Sequence, residues 1–217
     1  MTTKMRVQGV LALLDEYYPM NDRCYLEYSA AYELMIATIL SAQCTDDRVN
    51  MVTADLFKKY PTLEAFAGAS VAEMEKDVKS TGFYRNKAKN IILAGQMLLE
   101  NYGGQMPSDI DELTKLAGVG RKTANVIRSH IFQLPSVVVD THVKRISGKL
   151  GFTKNTDPEK IEFDLMKILP KDHWIRYNTQ IIAHGRAICK APTAKCELCF
   201  MTDLCKFYQE NGLKKVK

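Results

Sequence analysis

Apolar residues recur at spacings of three and four along most of the chain, which is the period of an amphipathic helix. In the stretch 31–40, for example, Leu34, Met35, Ile39 and Leu40 follow this spacing. The same period predicts helices at 31–40, 49–60, 71–79, 86–101, 110–116, 121–132, 141–150, 158–169 and 174–189. We therefore expect an all-α fold.

Proline and glycine mark the breaks between these periodic runs. Tyr60-Pro61 and Met106-Pro107 are expected to stop helices, because the residue before a proline avoids the α region. Asp157-Pro158 is typical of a helix N-cap followed by proline at the first helical position. The single strand-like run, at 136–139 (Ser-Val-Val-Val), has no evident pairing partner, so we predict an extended, buried connector there.

Composition sets broad limits on the kind of protein. The chain has 217 residues, of which 46% are hydrophobic and 25% charged, enough for one large or two small packed domains. Its net charge of +5 fits a nucleic-acid partner without establishing one. The N-terminus lacks a secretory pattern, and no run is apolar for long enough to span a membrane. We expect a cytoplasmic protein, in which cysteines stay reduced.

Four of the six cysteines cluster near the C-terminus in the spacing Cys-x6-Cys-x2-Cys-x5-Cys: Cys189, Cys196, Cys199 and Cys205. Zinc sites more often use two Cys-x-x-Cys pairs, whereas one pair flanked by two single cysteines suits a cubane with one thiolate per iron corner. The spacing favours a [4Fe–4S] cluster and leaves zinc or unligated thiols open. Cys24 and Cys44 are predicted to be ordinary buried thiols.

The loop between the first two of these cysteines carries Lys190 and Lys195. A short loop held at both ends by ligands presents lysines well to a phosphate backbone. A loop that is merely solvated is the alternative.

A glycine turn separates two predicted helices in the segment 109–131. Gly118 and Gly120 flank Val119 just before a helix N-terminus. Backbone N–H groups that face outward there, beside the positive end of the helix, form a corner that accepts a DNA phosphate of any sequence. Glycines that only turn the chain are the alternative.

Lys122 lies in the first turn of the second helix, next to Arg121. The helix N-terminus, the neighbouring guanidinium and expected burial all disfavour a second positive charge. They would leave more of the neutral amine that nucleophilic attack requires. The alternative is a phosphate-binding lysine.

Asp140 stands at the end of the apolar run and at the start of a predicted helix. It has the position of an N-cap, which also keeps a carboxylate ionised. Such a fixed carboxylate can stabilise an oxocarbenium-like transition state or activate a nucleophile.

Taken together, these motifs resemble the endonuclease III family of helix-hairpin-helix DNA glycosylases. The resemblance covers about residues 8–210. It is carried by the segments 40–46 (LSAQCTD), 81–88 (TGFYRNKA), 116–124 (LAGVGRKTA), 139–142 (VDTH), 184–186 (HGR) and the cysteines of 189–205. Ala117 departs from the proline that is common in the family.

The resemblance implies two helical domains that flank a DNA-binding cleft. A six-helix domain at 22–134 would contain the helix-hairpin-helix, and residues 1–21 with 135–211 would form the other domain, with the cluster loop at 189–205. Residues 212–217 would be a basic tail. The partner would be double-stranded DNA with a damaged base or an abasic site, bound by a monomer, with the damaged nucleotide flipped out of the helix.

The resemblance also implies roles for residues. Lys122 would attack the sugar as the base leaves, Asp140 would stabilise the charge that develops, and β-elimination would nick the strand 3′ to the abasic site. Gln43 would fill the space of the flipped base, and the turn at 81–83 would wedge against the opposite strand. The expected DNA contacts are Gln43, Thr81, Phe83, Gly118, Val119, Gly120, Arg121, Thr123, His142 and Lys195.

Gln43 and Phe83 each have a simpler interpretation, and two other functions are compatible with the sequence. Gln43 has the alternative of an exposed helix-end amide, and Phe83 that of a core aromatic. A monofunctional mismatch glycosylase would carry a cluster and the aspartate but lack a lysine at the position of Lys122. A non-catalytic DNA-binding module would bind duplex DNA and release no base.

Overall fold

The structure, a computed structural model, describes residues 2–19 and 24–212. Across these ranges the regular structure is helical and no β-strand is present, which confirms the all-α prediction. The α-helices are α1 (Thr3–Tyr17), α2 (Ala31–Leu40), α3 (Asp46–Lys59), α4 (Leu63–Ala67), α5 (Val71–Asp77), α6 (Tyr84–Tyr102), α7 (Ile110–Lys115), α8 (Arg121–Ile131), α9 (Thr141–Leu150), α10 (Pro158–Ile168), α11 (Trp174–Ala187) and α12 (Lys206–Asn211).

Helix ends follow the local chemistry, with one correction. The N-cap Asp157 accepts the N–H of Lys160 at 3.0 Å and Pro158 opens α10, as predicted. The expected stop at Met106-Pro107 is wrong, because α6 already ends at Tyr102. Gly103 there takes a left-handed conformation (φ 59°), and the following Gly104 N–H bonds back into the last turn of the helix.

The chain divides into two compact units, Cys24–Leu134 and Met1–Arg23 with Pro135–Lys217. The tail predicted at 212–217 falls, beyond Gly212, outside the described residues. Within the ranges described, no helix is both long and apolar enough to cross a bilayer.

The unit at 24–134 is built around α2. All its residues from Leu34 to Leu40 are buried, and it packs against α6 and α8. Because the helix is apolar on nearly every side, it stays in the interior, and its C-terminal end leads directly into the loop that carries Gln43. Gly95 lets α6 approach α4, with the backbone of Ala67 about 3.4 Å from the place a Cβ would take.

The other unit joins the N-terminal helix to the C-terminal ones. Asp15 of α1 accepts a hydrogen bond from Gln180 of α11 at 2.8 Å. The run at 136–139 is buried and has no regular secondary structure, which confirms the predicted connector. Asn178 donates to the buried carbonyl of Val138 at 3.1 Å. The backbone of the connector is therefore hydrogen-bonded without a β-ladder. The connector ends at Asp140, the N-cap of α9.

Candidate functional site

The glycine turn between α7 and α8 depends on glycine at one of its two positions. Gly118 has φ +74°, and a Cβ there would lie 2.9 Å from the Cβ of Asn90. Val119 is buried, and its N–H donates to the carbonyl of Leu116 at 3.0 Å. Val119 therefore fastens the turn from inside, and its N–H does not face outward as the sequence suggested. Gly120, by contrast, has open space around it.

The N-terminus of α8 is arranged to accept an external anion. Its N-cap is Gly120, which offers no side chain to the first turn, and that turn contains no acidic residue. The first N–H groups of a helix have no partner within the helix, and the helix dipole places partial positive charge beside them. A phosphate oxygen is a suitable partner for such a corner.

Lys122 is exposed in that first turn. The prediction that it is buried is wrong: Lys122 is exposed, although the next five residues of α8, from Thr123 to Ile127, are all buried. Thr123 is buried, so its side chain faces the core of this unit.

The charge of Lys122 affects the pKa of Cys24, which belongs to the same unit. Burial raises the pKa of the Cys24 thiol, and the carboxylate of Asp46 raises it further, whereas the charge of Lys122 lowers it. The Cys24 thiol therefore lies within electrostatic range of the Lys122 ammonium and of Asp46 in the first turn of α3. Cys24 and Cys44 are both only partly buried, so the prediction that they are buried thiols is wrong.

Asp140 is the N-cap of α9. Its Oδ1 accepts the N–H of Val143 at 2.7 Å, and its side chain is only half-buried. The structure thus confirms the helix-cap interpretation. One carboxylate oxygen is fixed by the helix, which orients the group.

His142 and the cluster loop are connected by Arg145. Its Nη2 lies 3.3 Å from Nδ1 of His142 and donates to the carbonyl of Cys189 at 2.8 Å. A guanidinium bridges two such acceptors with little loss of freedom, because its donors are held in a plane. The start of α9 and the first cysteine of the loop are therefore positioned together.

Gln43 and Phe83 share an unusual backbone conformation in the unit at 24–134. Both are exposed non-glycine residues with positive φ, 54° and 48° respectively. Phe83 is 63% exposed, so the alternative of a core aromatic is wrong. Thr81 is buried and its hydroxyl donates to the carbonyl of Val78 at 2.8 Å. In the turn at 81–83, it is Phe83 that presents its side chain to solvent.

The four C-terminal cysteines line one cavity that opens to solvent. The Met201 N–H donates to Sγ of Cys199 at 3.4 Å, and such N–H···S bonds are a usual support for thiolate ligands. Burial, with a smaller contribution from the neighbouring cysteines, raises the pKa of Cys199 to about 11. No group of three or more His, Cys, Asp or Glu side chains within residues 2–19 and 24–212 is arranged around a single metal ion.

His184 borders the same cavity from α11. Burial lowers the pKa of His184 to about 4, so its ring is neutral at physiological pH. Its Nε2 lies 3.8 Å from Sγ of Cys199, and its Nδ1 lies 3.3 Å from the hydroxyl of Tyr18. A neutral imidazole has one N–H, so the tautomer decides which neighbour receives it.

The loop between Cys189 and Cys196 presents its lysines outward. Lys190 and Lys195 are both exposed, and the backbone N–H groups of both donate to the carbonyl of Ile188, at 2.9 and 3.0 Å. The loop is therefore closed on itself by backbone bonds, and the side chain of Lys195 is available to an external phosphate.

Two structurally important side chains had no role in the sequence interpretation. Arg145 shows no motif, and its role depends on a carbonyl 44 positions away. Lys87 belongs to the segment 81–88 but looks like any helix lysine, whereas it is buried and its ammonium donates to the carbonyls of Leu40 and Thr81.

Comparison with known proteins agrees with this arrangement. Residues 36–171 match the family described as "HhH-GPD superfamily base excision DNA repair protein". Endonuclease III of Synechocystis sp. is 48% identical over 203 residues, 93% of this chain and 92% of that protein. Endonuclease III of Bacillus subtilis is 42% identical over 210 residues, 96% of this chain and 95% of the relative.

Solved structures show the same fold. A trapped endonuclease III–DNA covalent intermediate in an estranged-adenine complex has a TM-score of 0.91 and 43% identity, covering 97% of this chain and 99% of that one. A non-covalent endonuclease III–DNA complex has the same score and identity, covering 97% and 98%. The chain therefore belongs to the endonuclease III family, within the HhH-GPD superfamily of base excision DNA repair proteins.

Proposed function

We propose that this DNA glycosylase and AP lyase uses Lys122 as its nucleophile on double-stranded DNA that contains oxidised pyrimidines. The neutral amine attacks C1′ of the sugar, the glycosidic bond breaks, and the base leaves with the bonding electrons and then takes a proton. The nitrogen, now bonded to C1′, loses one proton, and its lone pair expels the ring oxygen O4′, which takes a proton, so that the sugar opens to a protonated Schiff base that keeps the other N–H. Removal of a C2′ proton then expels the 3′ phosphate, and water releases the enzyme.

The observation that carries this proposal is the position of Lys122. It is exposed in the first turn of α8, beside backbone N–H groups that have no partner within the helix. A phosphate of the damaged strand, held by Gly120 and the first turn of α8, brings a sugar within reach of that amine. Such binding needs no particular base sequence, as a repair enzyme requires.

Asp140 complements the nucleophile. Because its Oδ1 is fixed by the N–H of Val143, the carboxylate is held in one orientation. It stabilises positive charge that develops on the sugar as the base departs, and it accepts a proton from the attacking amine. Both effects depend on the ionised form, which the N-cap position favours.

Other surface groups hold the DNA. Arg121, His142 and Lys195 contact the phosphate backbone, while Gln43 fills the space of the flipped nucleotide. Phe83 wedges against the opposite strand, where an exposed aromatic ring stacks on a base. Thr81, Thr123 and Val119 are buried, so they support these contacts from within. We expect a monomer to carry out the reaction.

The four cysteines, Cys189, Cys196, Cys199 and Cys205, are proposed to hold a [4Fe–4S] cluster. They fit such a cluster because they line one cavity together with apolar side chains. The Met201 N–H also donates to Sγ of Cys199. When bound, the cluster supplies structural support for the loop at 189–205. The glycosylase and lyase steps are carried out by the side chains described above.

Borohydride trapping tests the nucleophile. The protein is mixed with a duplex that contains thymine glycol, and borohydride reduces the Schiff base to a stable covalent adduct. We expect the adduct with the wild type and with Lys58→Ala, an exposed lysine of α3, and none with Lys122→Ala. An adduct in Lys122→Ala contradicts the assignment.

The same experiment separates the rival functions. A monofunctional glycosylase releases the base but forms no adduct, and a non-catalytic module binds the duplex and releases nothing. Either result with the wild type overturns the proposed function.

A further inference from the structure

The side chain of Lys87 is buried although it carries a charge. It is 4% exposed, and burial lowers the pKa of its ammonium. Its Nζ donates to the carbonyl of Leu40 and to the carbonyl of Thr81, at 2.8 Å in both cases. These carbonyls are 41 positions apart, and both belong to the unit at 24–134. One ammonium therefore fastens two distant points of the backbone.

Each of the two carbonyls lies just before an exposed residue with positive φ. Leu40 is the last residue of α2, three positions before Gln43 (φ 54°), and Thr81 is two positions before Phe83 (φ 48°). Among the described residues, Gln133 is the only other non-glycine residue with positive φ. Such conformations persist where the surrounding structure fixes them, and they cluster at functional sites.

The backbone of Lys87 adds a third attachment. Its N–H donates to the carbonyl of Phe83 at 3.2 Å, the first bond of α6. Lys87 thus binds both ends of the turn at 81–83. Its side chain donates to the carbonyl of Thr81, and its main-chain N–H donates to the carbonyl of Phe83. An aliphatic side chain of similar length would fill this site without the cost of desolvating an ammonium. The choice of lysine indicates that the two carbonyl bonds matter.

We propose that Lys87 is a positioning residue that fixes the Gln43 loop and the Phe83 turn relative to each other. The two side chains then enter the DNA as one rigid unit, Gln43 into the space of the flipped nucleotide and Phe83 against the opposite strand. This inference rests on the roles of Gln43 and Phe83 in the proposed function. Lys87 itself touches neither DNA nor the reacting atoms.

The test uses duplexes with and without a tetrahydrofuran abasic-site analogue, with 2-aminopurine opposite the analogue. Insertion of Gln43 and Phe83 unstacks that base and raises its fluorescence. In Lys87→Met we expect the preference for the abasic duplex to fall about tenfold and the fluorescence rise to shrink, because one stacking contact is worth that much. Affinity for the undamaged duplex stays within about twofold, because the phosphate contacts of the hairpin are unchanged.

Two controls separate positioning from general destabilisation. Lys89→Met removes an exposed lysine from the same helix and is expected to behave as the wild type. Leu98→Ala removes a buried side chain of α6, which destabilises the unit without touching either loop. If Leu98→Ala lowers the preference for the abasic duplex as much as Lys87→Met does, the proposal is overturned.

A second measurement needs no change at Lys87. In a double-mutant cycle, Gln43→Ala and Phe83→Ala are expected to have non-additive effects on binding to the abasic duplex, since a rigid unit inserts as a whole. Additive effects overturn the coupling even if Lys87→Met fails to fold. Wild-type protein that forms no borohydride adduct refutes the proposed function instead, so the two failures are distinguishable.

Discussion

The main chain of Gly185 in α11 packs directly against the imidazole of His142 in α9, so a Cβ at position 185 would overlap Nδ1 of that ring. The same Cβ would lie 3.1 Å from the side chain of Ile146, which is buried. Gly185→Ala therefore forces apart two helices of one core. We expect a loss of about 1–3 kcal/mol in the free energy of unfolding, measured by urea denaturation, together with weaker DNA binding.

Gly148 provides the matched control on α9. A Cβ there would meet nothing within 4 Å, and the residue is exposed. Gly148→Ala is expected to stabilise the protein by about 0.5–1 kcal/mol, because alanine loses less backbone entropy in a helix. If both variants change the free energy of unfolding in the same direction, the close contact of His142 with Gly185 is not what limits position 185.

Helical periodicity was sufficient to predict the fold class and nine of the helices, namely α2, α3 and α5 to α11. Helix α1 also has a readable pattern, with Val7, Val10, Leu11 and Leu14 buried on one face. In contrast, α4 has five residues, too few for a helical period to be recognised. The extended run at 136–139 was predictable because a lone apolar run without a pairing partner must be satisfied by other contacts.

Less of the candidate site than of the fold could be predicted from the sequence. Motifs identified Lys122 and Asp140, and the cap bond of Asp140 follows from local sequence alone. The exposure of Lys122 depends on how the first turn of α8 is placed in the folded unit, which neighbouring residues in the sequence do not determine. The buried position of Lys87 depends on a carbonyl 47 positions away in α2. Such long-range contacts have no signature in a single sequence.

Asp140→Asn separates the cap of α9 from its proposed part in catalysis. Asparagine caps helices about as well as aspartate, so the bond to the Val143 N–H is retained and the fold is expected to change by less than about 0.5 kcal/mol. The negative charge is lost, and we expect base excision to fall by roughly 100-fold or more in single-turnover assays while damaged DNA still binds.

Asp157→Asn is the control for this variant. Asp157 caps α10 with the same geometry, accepting the Lys160 N–H at 3.0 Å. We expect neither stability nor excision to change appreciably in this variant. Unchanged excision in Asp140→Asn would reduce Asp140 to a helix cap alone.

The two glycines of the hairpin are expected to respond differently to alanine. Gly118→Ala places a Cβ 2.9 Å from Asn90 in a left-handed conformation (φ +74°), which we expect to cost about 1–3 kcal/mol in the free energy of unfolding. Gly120→Ala meets nothing within 4 Å and has an extended backbone, so the free protein should be nearly as stable as the wild type.

Although Gly120→Ala should leave the stability of the free protein nearly unchanged, we expect it to lower the affinity for DNA. A methyl group at position 120 would stand where we propose that a phosphate approaches the first turn of α8, so Gly120→Ala should weaken binding to damaged and undamaged duplexes alike. The measurement is a salt titration of affinity for both duplexes. Selective loss of binding to the damaged duplex would contradict a phosphate-binding role for this turn.

The cysteine variants test the identity of the metal group. If the four cysteines hold a [4Fe–4S] cluster, the wild-type protein should contain about four iron and four sulfide per chain and be yellow-brown. Cys199→Ser removes the ligand whose Sγ accepts the Met201 N–H, and we expect iron content to fall and the loop at 189–205 to become protease-sensitive. Cys44→Ser, outside this set, should keep full iron content. Stoichiometric zinc in colourless wild-type protein would instead assign the four thiolates to a tetrahedral zinc site, because zinc has no visible absorption and needs no sulfide.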